Sequence, residues 1–523
     1  MAPLRCHADD RSDKPRVVGA VATDRLAFDA VVLGGGSAGC VLASRLSEDP
    51  ARSVCLIEAG PDYGSYAEGR WPKDLLYANE LATSHDWGLP GGWPSWRAKV
   101  VGGCSAHNGC FIAWGTPADF DEWAQAGDPG WSYDALEPYR RRSQEMLRVR
   151  PSRVDDLEPF MRAGLDAAVE IGLPVLEDFD DPRALEGASP ILVNAIGDVR
   201  WNAAFAYLDP ARQRPNLAIV ADALVDRLRF EGERAVGTVV RVDGGETEIS
   251  ADLVVVAAGA YGSPAILLRS GIGPADDLAR ISVDIREDLP GVGRNLIDHP
   301  RVEVVYRPSA ELLTRMQDHV ARHPARAQTL IKARSETCPS GSWDLHVMMR
   351  MRPPISDDPG LVSGDPLAYL YIHDLKPESR GSVRISSPDP GVLPIVDHGF
   401  LSDPAGQDAA TLAAGIRLAR RLATTRAMDG LLQGELLPAS GQGGALAAYM
   451  RNSVGGYWHP VGTCKMGPAG DAASVVDASG RVHGLTNVYV ADASIMPTIP
   501  RANTHLPVVA LAERIADLLR ERS

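Results

Sequence analysis

The alternation of apolar and polar positions near the N-terminus predicts a β-α-β unit. Residues 28–33 form a short apolar run with β-branched side chains, residues 40–46 have helical character, and a second apolar run at 54–57 ends at Glu58. Short apolar runs on both sides of a helix are typical of parallel strands buried on both faces. We therefore expect the folded part to begin at residue 28, after a flexible leader at 1–27.

The remaining pattern predicts mixed helices and strands. Residues 61–123 are rich in Gly, Pro and Trp and are predicted as extended loops. The change of character over residues 301–454 favours a second domain inserted into the first. Helices are predicted at 134–147, 158–171, 409–423 and 504–520, and strands at 217–220, 235–242, 253–258 and 488–491.

Composition narrows the class of protein. A chain of 523 residues exceeds what one hydrophobic core usually organises, so two lobes are expected. The formal charge of −15 argues against nucleic acid or an anionic membrane as the main partner. Seven cysteines leave at least one thiol unpaired, which favours a reducing, cytoplasmic compartment. No apolar run approaches the roughly 20 residues of a membrane-spanning helix, and residues 1–27 lack a signal-peptide pattern.

A glycine-rich turn follows the first predicted strand. Gly34, Gly36 and Gly39 form G-x-G-x-x-G at the start of the predicted helix, which also contains Ser37 and Ala38. The glycines permit a tight turn, close approach of a pyrophosphate and close packing of helix on strand. Glu58, 22 residues beyond Gly36, is placed to accept hydrogen bonds from ribose hydroxyls. The unit predicts dinucleotide binding and leaves FAD and NAD as alternatives.

Longer motifs decide between these alternatives. Six segments carry such motifs: 28–60, 97–114 (RAKVVGGCSAHNGCFIAW), 259–274 (GAYGSPAILLRSGIGP), 290–300 (PGVGRNLIDHP), 459–468 (HPVGTCKMGP) and 490–507 (VADASIMPTIPRANTHLP). All six resemble segments of the glucose–methanol–choline (GMC) oxidoreductases, and most closely their choline-oxidising branch. The resemblance implies an FAD-dependent alcohol oxidoreductase of α/β class (α+β overall). It implies a Rossmann-like FAD-binding domain at 28–160, 215–300 and 455–523. A substrate-binding domain with an antiparallel sheet and helices is expected at 161–214 and 301–454.

The loop GGCSAHNGC is predicted to approach the flavin ring, because small residues let backbone N–H groups come close to it. Its candidate contacts are Gly102, Gly103, Ser105, Asn108, Gly109 and Cys110. The resemblance also implies that His107 carries the flavin covalently, the alternative being a histidine merely hydrogen-bonded within the loop. Further family positions in contact with FAD are Val225, Trp458, Asp492, Ala493, Asn503 and Thr504. The contact of Asp492 is expected through backbone or water, since a carboxylate repels phosphate.

The resemblance places the catalytic pair at His459 and Asn503. A histidine of near-neutral pKa suits removal of the hydroxyl proton, and Pro460 restricts the backbone of His459. The amide of Asn503 can hydrogen-bond the substrate oxygen, and the following helix directs partial positive charge towards the site. His505 is the competing candidate, expected to face a helix neighbour or the cavity wall.

The substrate is expected to be a neutral primary alcohol, for example one of aryl, allylic or furanic type. Choline-oxidising relatives need an acid for the cation, whereas residues 324–334 (PARAQTLIKAR) contain cations and no acid. Tyr457, Trp458 and Met348 are the candidate pocket residues, with ordinary core packing as the alternative. No metal site is expected, and the oligomeric state stays open.

The electron acceptor is not determined by the sequence. Oxygen is the leading candidate, and a quinone or protein acceptor is the nearest alternative. A hydroxynitrile lyase and a non-catalytic flavoprotein are further alternatives, because both can retain FAD without redox turnover.

Overall fold

The structure is a computed structural model that describes residues 17–18, 27–90, 96–322, 325–353, 364–439 and 444–521. Most of the expected leader and Pro324 lie outside these ranges. Within them, no helix is long and apolar enough to cross a bilayer. Three residues of the expected leader are described, and all three belong to strands: Val17–Val18 pairs antiparallel with Leu217–Val220, and Ala27 begins the strand Ala27–Leu33.

The first sheet has eight strands and contains the predicted β-α-β unit. Its parallel core joins Ala27–Leu33 to Val54–Ile57 on one side and to Gly245–Val256 on the other. The paired segments 30–33, 54–57 and 253–256 contain only apolar residues, as is typical of strands covered on both faces. The strand order is Val17–Val18, Leu217–Val220, Val54–Ile57, Ala27–Leu33, Gly245–Val256, Arg234–Val242 and Leu224–Glu231, with Val488–Val490 also paired to Gly245–Val256.

The parallel strands deliver the nucleotide-binding candidates to one edge. Gly34 follows Leu33, Glu58 follows Ile57, and Asp492 comes two residues after Val490. Carboxyl ends of parallel strands share one edge, where open α/β sheets bind their ligands. The helix Ser37–Leu46 begins at this edge, with the extended residue Gly36 as its N-cap.

The second sheet has seven strands. One face packs on the helices Pro159–Glu170 and Gln407–Ala423 through an apolar cluster that includes Val304, Val347 and Leu370. The alternate residues of the same strands therefore lie on the opposite face. The order is Leu432–Leu437, Pro300–Pro308, Leu367–Asp374, Leu345–Arg352, Thr329–Ala333 and Gly187–Pro190, with Gly455–Gly456 also paired to Pro300–Pro308.

Helices pack against both sheets, and five of the twelve described α-helices agree with those predicted from the sequence pattern. The prediction of extended loops over 61–123 was wrong at Pro117–Ala126, where Thr116 and Asp119 form a capping box and Pro117 occupies the first turn. The two-lobe division stays a prediction. The α-helices are Ser37–Leu46, Lys73–Leu76, Pro117–Ala126, Tyr133–Met146, Pro159–Glu170, Asp209–Ala211, Gly259–Arg269, Ala275–Arg280, Ala310–Ala321, Gln407–Ala423, Gly444–Ser453 and His505–Glu521.

Candidate active site

One cavity of about 630 Å³ runs between the two sheets. It brings together nearly all the residues predicted from sequence, although they lie far apart in the chain. Of the predicted set, Gly39, Gly102 and Cys110 do not line it. The predicted residues that do line it are Gly34, Gly36, Ser37, Ala38, Glu58, Gly103, Ser105, His107, Asn108, Gly109, Val225, Met348, Tyr457, Trp458, His459, Asp492, Ala493, Asn503 and Thr504.

The glycine turn forms one end of the cavity. Gly34 has φ +111°, which L side chains rarely adopt, and a Cβ at Gly39 would lie 1.8 Å from the Gly34 carbonyl oxygen. Gly39 therefore serves helix–strand packing, as its place in the motif implies. The Glu58 carboxylate accepts hydrogen bonds from the backbone N–H groups of Gly35 (2.8 Å) and Gly60 (2.9 Å). Each of its oxygens retains a lone pair for a ribose hydroxyl.

The predicted flavin loop packs directly on this turn. Gly103 has φ +52°, and a Cβ there would lie 2.6 Å from the Cα of Gly36. The N–H of Gly102 donates to the Gly35 carbonyl at 2.7 Å, so Gly102 supports the loop from behind the cavity. Cys110 is fully buried with φ +62° and packs beside Ala78 and Ala195, on the far side of the loop.

His107 reaches the cavity from this loop as a buried, uncharged imidazole. Burial, helped by the nearby Arg97 and Arg200 guanidinium groups, lowers the pKa of His107 to about 3. No hydrogen bond of its ring to another described residue is present, so the alternative of a histidine hydrogen-bonded within the loop finds no support. A neutral ring nitrogen at the cavity wall is free for a ligand.

Arg200 holds this loop and was missed in the sequence. Its fully buried guanidinium donates to the carbonyls of Ala106 (3.0 Å) and Asn108 (2.8 Å), the two neighbours of His107. It also bonds the carbonyls of Leu75 and Tyr77 in the preceding segment. A single cation thus fixes the backbone on both sides of His107. No sequence signal identifies it, because Arg200 lies outside every recognisable motif.

The catalytic candidates meet at the opposite end. Asn503 is buried and His459 is half-buried, and Asn503 Nδ2 lies 3.3 Å from His459 Nε2. The strand Gly455–Gly456 pairs with Pro300 and Arg301, which brings the chain just before His459 alongside His299. The sequence predicted the first two residues and missed His299, although it stands in the quoted segment PGVGRNLIDHP.

His299 determines which nitrogen of His459 carries a proton. His299 Nε2 lies 3.1 Å from the Pro500 carbonyl, which can only accept, so this nitrogen bears the hydrogen. Burial lowers the pKa of His299 to about 3, leaving its Nδ1 as an acceptor. His459 Nδ1 lies 3.0 Å from that Nδ1 and must donate to it. The lone pair of His459 is therefore on Nε2, beside Asn503.

The backbone around His459 is fixed by two further groups. The buried Asp298 carboxylate accepts the His459 N–H at 2.9 Å. Trp458 adopts the left-handed φ of +61°, its carbonyl accepts from Arg97 Nη2 at 3.0 Å, and its ring stacks on Trp96 with centroids 5.4 Å apart. These contacts, together with Pro460, hold the imidazole in one orientation.

His505 and Asp492 lie where the sequence placed them. His505 lines the cavity wall, and burial lowers its pKa to about 4. The Asp492 carboxylate accepts from the Gly259 N–H at 2.8 Å and from Ser263 Oγ at 2.5 Å. It is therefore occupied within the protein, in agreement with an indirect contact to phosphate. The Val225 carbonyl, at the nucleotide end, accepts from Arg269 at 3.1 Å.

The substrate side of the cavity is formed by the second sheet. Tyr457 stacks on His373 with ring centroids 3.7 Å apart, and Met348 pairs with Tyr371 across neighbouring strands. All three predicted pocket residues, Tyr457, Trp458 and Met348, line the cavity. The arginines on this side are different from the cations predicted from the sequence.

Residues 325–334 do not line the cavity. Lys332 Nζ donates to the Phe179 carbonyl, and Arg326 Nε donates to the carbonyl of Gly109, so both cations are bound to main-chain groups. The cations that line its substrate side are Arg301, Arg350 and Arg352. Choosing 324–334 was wrong because sequence order does not reveal which strand faces the cavity.

The groups along the cavity fit FAD. A glycine turn and a ribose-binding carboxylate lie at one end, a glycine-lined loop with a neutral histidine lies in the middle, and a histidine base lies at the other end. This arrangement defines a dinucleotide-dependent oxidoreductase.

Comparison with known proteins identifies the family. Models described as GMC oxidoreductase match residues 28–301 and 377–512. The chain is 36% identical to 5-(hydroxymethyl)furfural oxidase of Methylovorus sp., over 94% of this chain and 98% of the relative. It is 33% identical to choline oxidase of Arthrobacter globiformis, over 94% of both chains. The structure of pyridoxine 4-oxidase from Mesorbium loti superposes with a TM-score of 0.80 at 30% identity, covering 94% of this chain and 99% of that one.

The chain belongs to the GMC oxidoreductase family. It is an FAD-dependent alcohol oxidoreductase.

Proposed function

We propose that this enzyme oxidises a primary alcohol of aryl, allylic or furanic type to the aldehyde, with His459 as the base. The observation that carries the proposal is the hydrogen-bond chain from the Pro500 carbonyl through His299 to His459, which leaves a lone pair on His459 Nε2. A half-buried imidazole that lines the cavity and has an unprotonated Nε2 can accept a hydroxyl proton.

Proton removal is assigned to His459 and substrate alignment to Asn503. His459 Nε2 would take the alcohol proton, and the positive charge then formed would lie near the buried Asp298 carboxylate, which accepts the His459 backbone N–H. The Asn503 side-chain oxygen is buried without a partner among the described residues. Rotation of the Asn503 side chain, or a hydroxyl bound in the cavity, would give this oxygen a hydrogen-bond donor. When bound, FAD supplies the two-electron acceptor for the hydride that leaves the alcohol carbon.

The reacting alcohol group is proposed to be uncharged. Tyr457, Trp458 and Met348 form an apolar and aromatic wall around it. Arg301, Arg350 and Arg352 disfavour a quaternary ammonium group, because like charges repel at short range in a partly buried site. Choline is accordingly proposed to be a poor substrate.

His107 is proposed as the covalent attachment point of FAD. Its neutral ring nitrogen and its rigid loop, held by Arg200, support this assignment. The bond would join a ring nitrogen to the methyl-bearing edge of the flavin and replace one methyl hydrogen. This oxidation would use molecular oxygen as its acceptor.

Oxygen is also proposed as the acceptor during turnover, in a cytoplasmic enzyme. Two of the relatives named above are alcohol oxidases by name, which supports oxygen over a quinone or protein acceptor. The six cysteines in the described ranges are all free thiols, which supports a reducing compartment.

An anaerobic screen tests the proposal. The holoenzyme is mixed with benzyl alcohol, cinnamyl alcohol, 5-(hydroxymethyl)furfural or choline, and flavin bleaching is followed before oxygen is admitted. We expect the first three alcohols to bleach the flavin faster than choline, and oxygen to restore its absorbance. Bleaching by choline at a comparable kcat/KM would contradict the substrate assignment. Failure of oxygen to restore the colour would favour a dehydrogenase.

A further inference from the structure

Three arginines lie on the cavity-facing side of the second sheet. Arg301 pairs with His373 across one strand boundary, and Arg350 pairs with Tyr369 across another. Arg352 is two residues beyond Arg350 on the same strand, so both side chains lie on one face. All three line the same cavity as His459.

The guanidinium groups of these three arginines have different partners. Arg301 forms an ion pair with Glu303 at 2.8 Å, and Arg352 Nε donates to the Tyr371 hydroxyl at 2.6 Å. Arg350 donates to the Asn79 carbonyl and has no carboxylate within ion-pair distance among the residues the structure describes. Arg350 is therefore a half-buried cation whose remaining donors can serve a ligand.

Acidic residues at the cavity do not neutralise this charge. Glu58 and Asp492 line the nucleotide end, where backbone N–H and hydroxyl groups already bind them. Glu80 lines the cavity near Arg350 with an exposed side chain and forms no ion pair within the described part of the chain. The substrate side consequently carries excess positive charge.

The arginines flank the space next to the catalytic end. The Arg301 guanidinium lies 4.8 Å from the centroid of the Trp458 ring and 4.9 Å from that of Tyr371. Met348 pairs with Tyr371, and Arg350 lies two residues further along that strand, a distance of about 7 Å. A substrate whose hydroxyl meets His459 can thus extend over Tyr371 towards Arg350.

We infer that the cavity binds an alcohol bearing a carboxylate at the end remote from its hydroxymethyl group, with Arg350 as the anchor and Arg301 and Arg352 in support. This inference rests on the proposed function and extends it: the reacting group is neutral, and the opposite substituent is anionic. A guanidinium presents paired N–H donors that match both oxygens of a carboxylate. Bound in this way, the carboxylate would balance the charge of Arg350, which has no carboxylate within ion-pair distance among the described residues.

Steady-state kinetics with a matched pair of alcohols tests the anchor. We compare 4-(hydroxymethyl)benzoate with 4-methylbenzyl alcohol, which has a similar shape and no charge. Wild-type kcat/KM should be at least tenfold higher for the carboxylate. Arg350→Met should remove most of this preference, chiefly by raising the KM for the carboxylate. Arg350→Lys should retain part of the preference.

The matched control is Arg307→Met. Arg307 is an exposed arginine on the strand of Arg301 and does not line the cavity. This variant should behave like the wild type with both alcohols. Equal kcat/KM for the two alcohols in the wild type, or a preference unchanged in Arg350→Met, would overturn the inference.

Binding of a non-reactive ligand tests the anion site independently of the proposed alcohol oxidation. 4-Methylbenzoate has no hydroxyl, and its binding to the holoenzyme is read from the flavin absorbance spectrum, with 4-methylbenzamide as the neutral analogue. We expect at least tenfold tighter binding of the benzoate, lost in Arg350→Met. That result would sustain the anion site even if neither alcohol reduced the flavin. Equal binding of the two ligands would refute it even if both alcohols reacted.

Discussion

His299 and His459 face each other edge to face, with their Nδ1 atoms 3.0 Å apart and their ring planes at 88°. Since the Pro500 carbonyl accepts the Nε2–H of His299, the Nδ1 of His299 is an acceptor and allows only one neutral tautomer of His459. His299 thus fixes the tautomer of the base, although both of its own ring nitrogens are engaged within the protein. His299 is a positioning residue.

Removal of His299 should therefore impair the base without removing it. In His299→Ala, the Nδ1–H of His459 loses its acceptor and the ring can adopt the other tautomer. We expect anaerobic flavin reduction to slow by about ten- to a hundredfold, since loss of a ligand-orienting partner typically has that effect. Stopped-flow absorbance measures the rate.

A purely structural role of His299 would give a different result. The rate would then fall in proportion to lost folded protein, and its pH profile would keep the wild-type shape. If His299 positions the base, the pH dependence of the remaining activity should change while FAD content and the melting temperature stay close to those of the wild type.

The catalytic pair is tested by three single variants. His459→Ala should lose about a hundredfold or more in flavin reduction, the usual range for a general base. Asn503→Ala should also slow reduction, because a developing oxyanion then lacks a donor. His505→Ala should have a much smaller effect, since its ring lies on the cavity wall and makes no contact with His459.

Retention of FAD is the control for these variants, because the glycine turn and Glu58 lie at the other end of the cavity. A His505→Ala variant as impaired as His459→Ala, combined with near wild-type rates for Asn503→Ala, would show that the register of the final motif was wrong.

The pH dependence follows from burial of the base. Burial, followed by the nearby His299 and Arg97, lowers the pKa of His459 well below its ordinary value of 6.5. A lowered pKa keeps the imidazole unprotonated at neutral pH, so the base is lost only as the pH falls. We expect flavin reduction to stay constant as the pH falls to 6.5 and to decline only at more acidic pH. An acid limb centred above pH 7 in stopped-flow rates would contradict this expectation.

The sequence predicted most of the nucleotide-binding end, because it is built from contiguous motifs. Gly34, Glu58 and His107 each stand in a segment with characteristic spacing, and the strand pattern places these segments at one edge of the sheet. Motifs of this kind can be found without knowing the fold.

The sequence could not predict contacts made across the two sheets. Arg200 stabilises the loop of His107 by donating hydrogen bonds to main-chain carbonyls. Every residue has such a carbonyl, so the sequence does not show which ones Arg200 binds. Arg301 and Arg350 face the cavity only because of strand register, since a shift of one residue would turn both to the other face. The prediction from 324–334 failed for this reason.

The covalent link at His107 is the prediction about the cofactor that a single experiment tests most directly. The ring is neutral, lines the cavity and sits on a backbone that Arg200 fixes on both sides. Protein precipitated with acid should therefore keep yellow flavin fluorescence on a denaturing gel. His107→Ala should release its flavin into the acid supernatant while remaining folded, because a smaller side chain at the cavity wall leaves the loop contacts of Arg200 intact. His505→Ala is the matched control, since it removes another histidine that lines the same cavity and should keep the flavin attached. Flavin found wholly in the supernatant of the wild type would refute the covalent link and leave the family assignment unaffected.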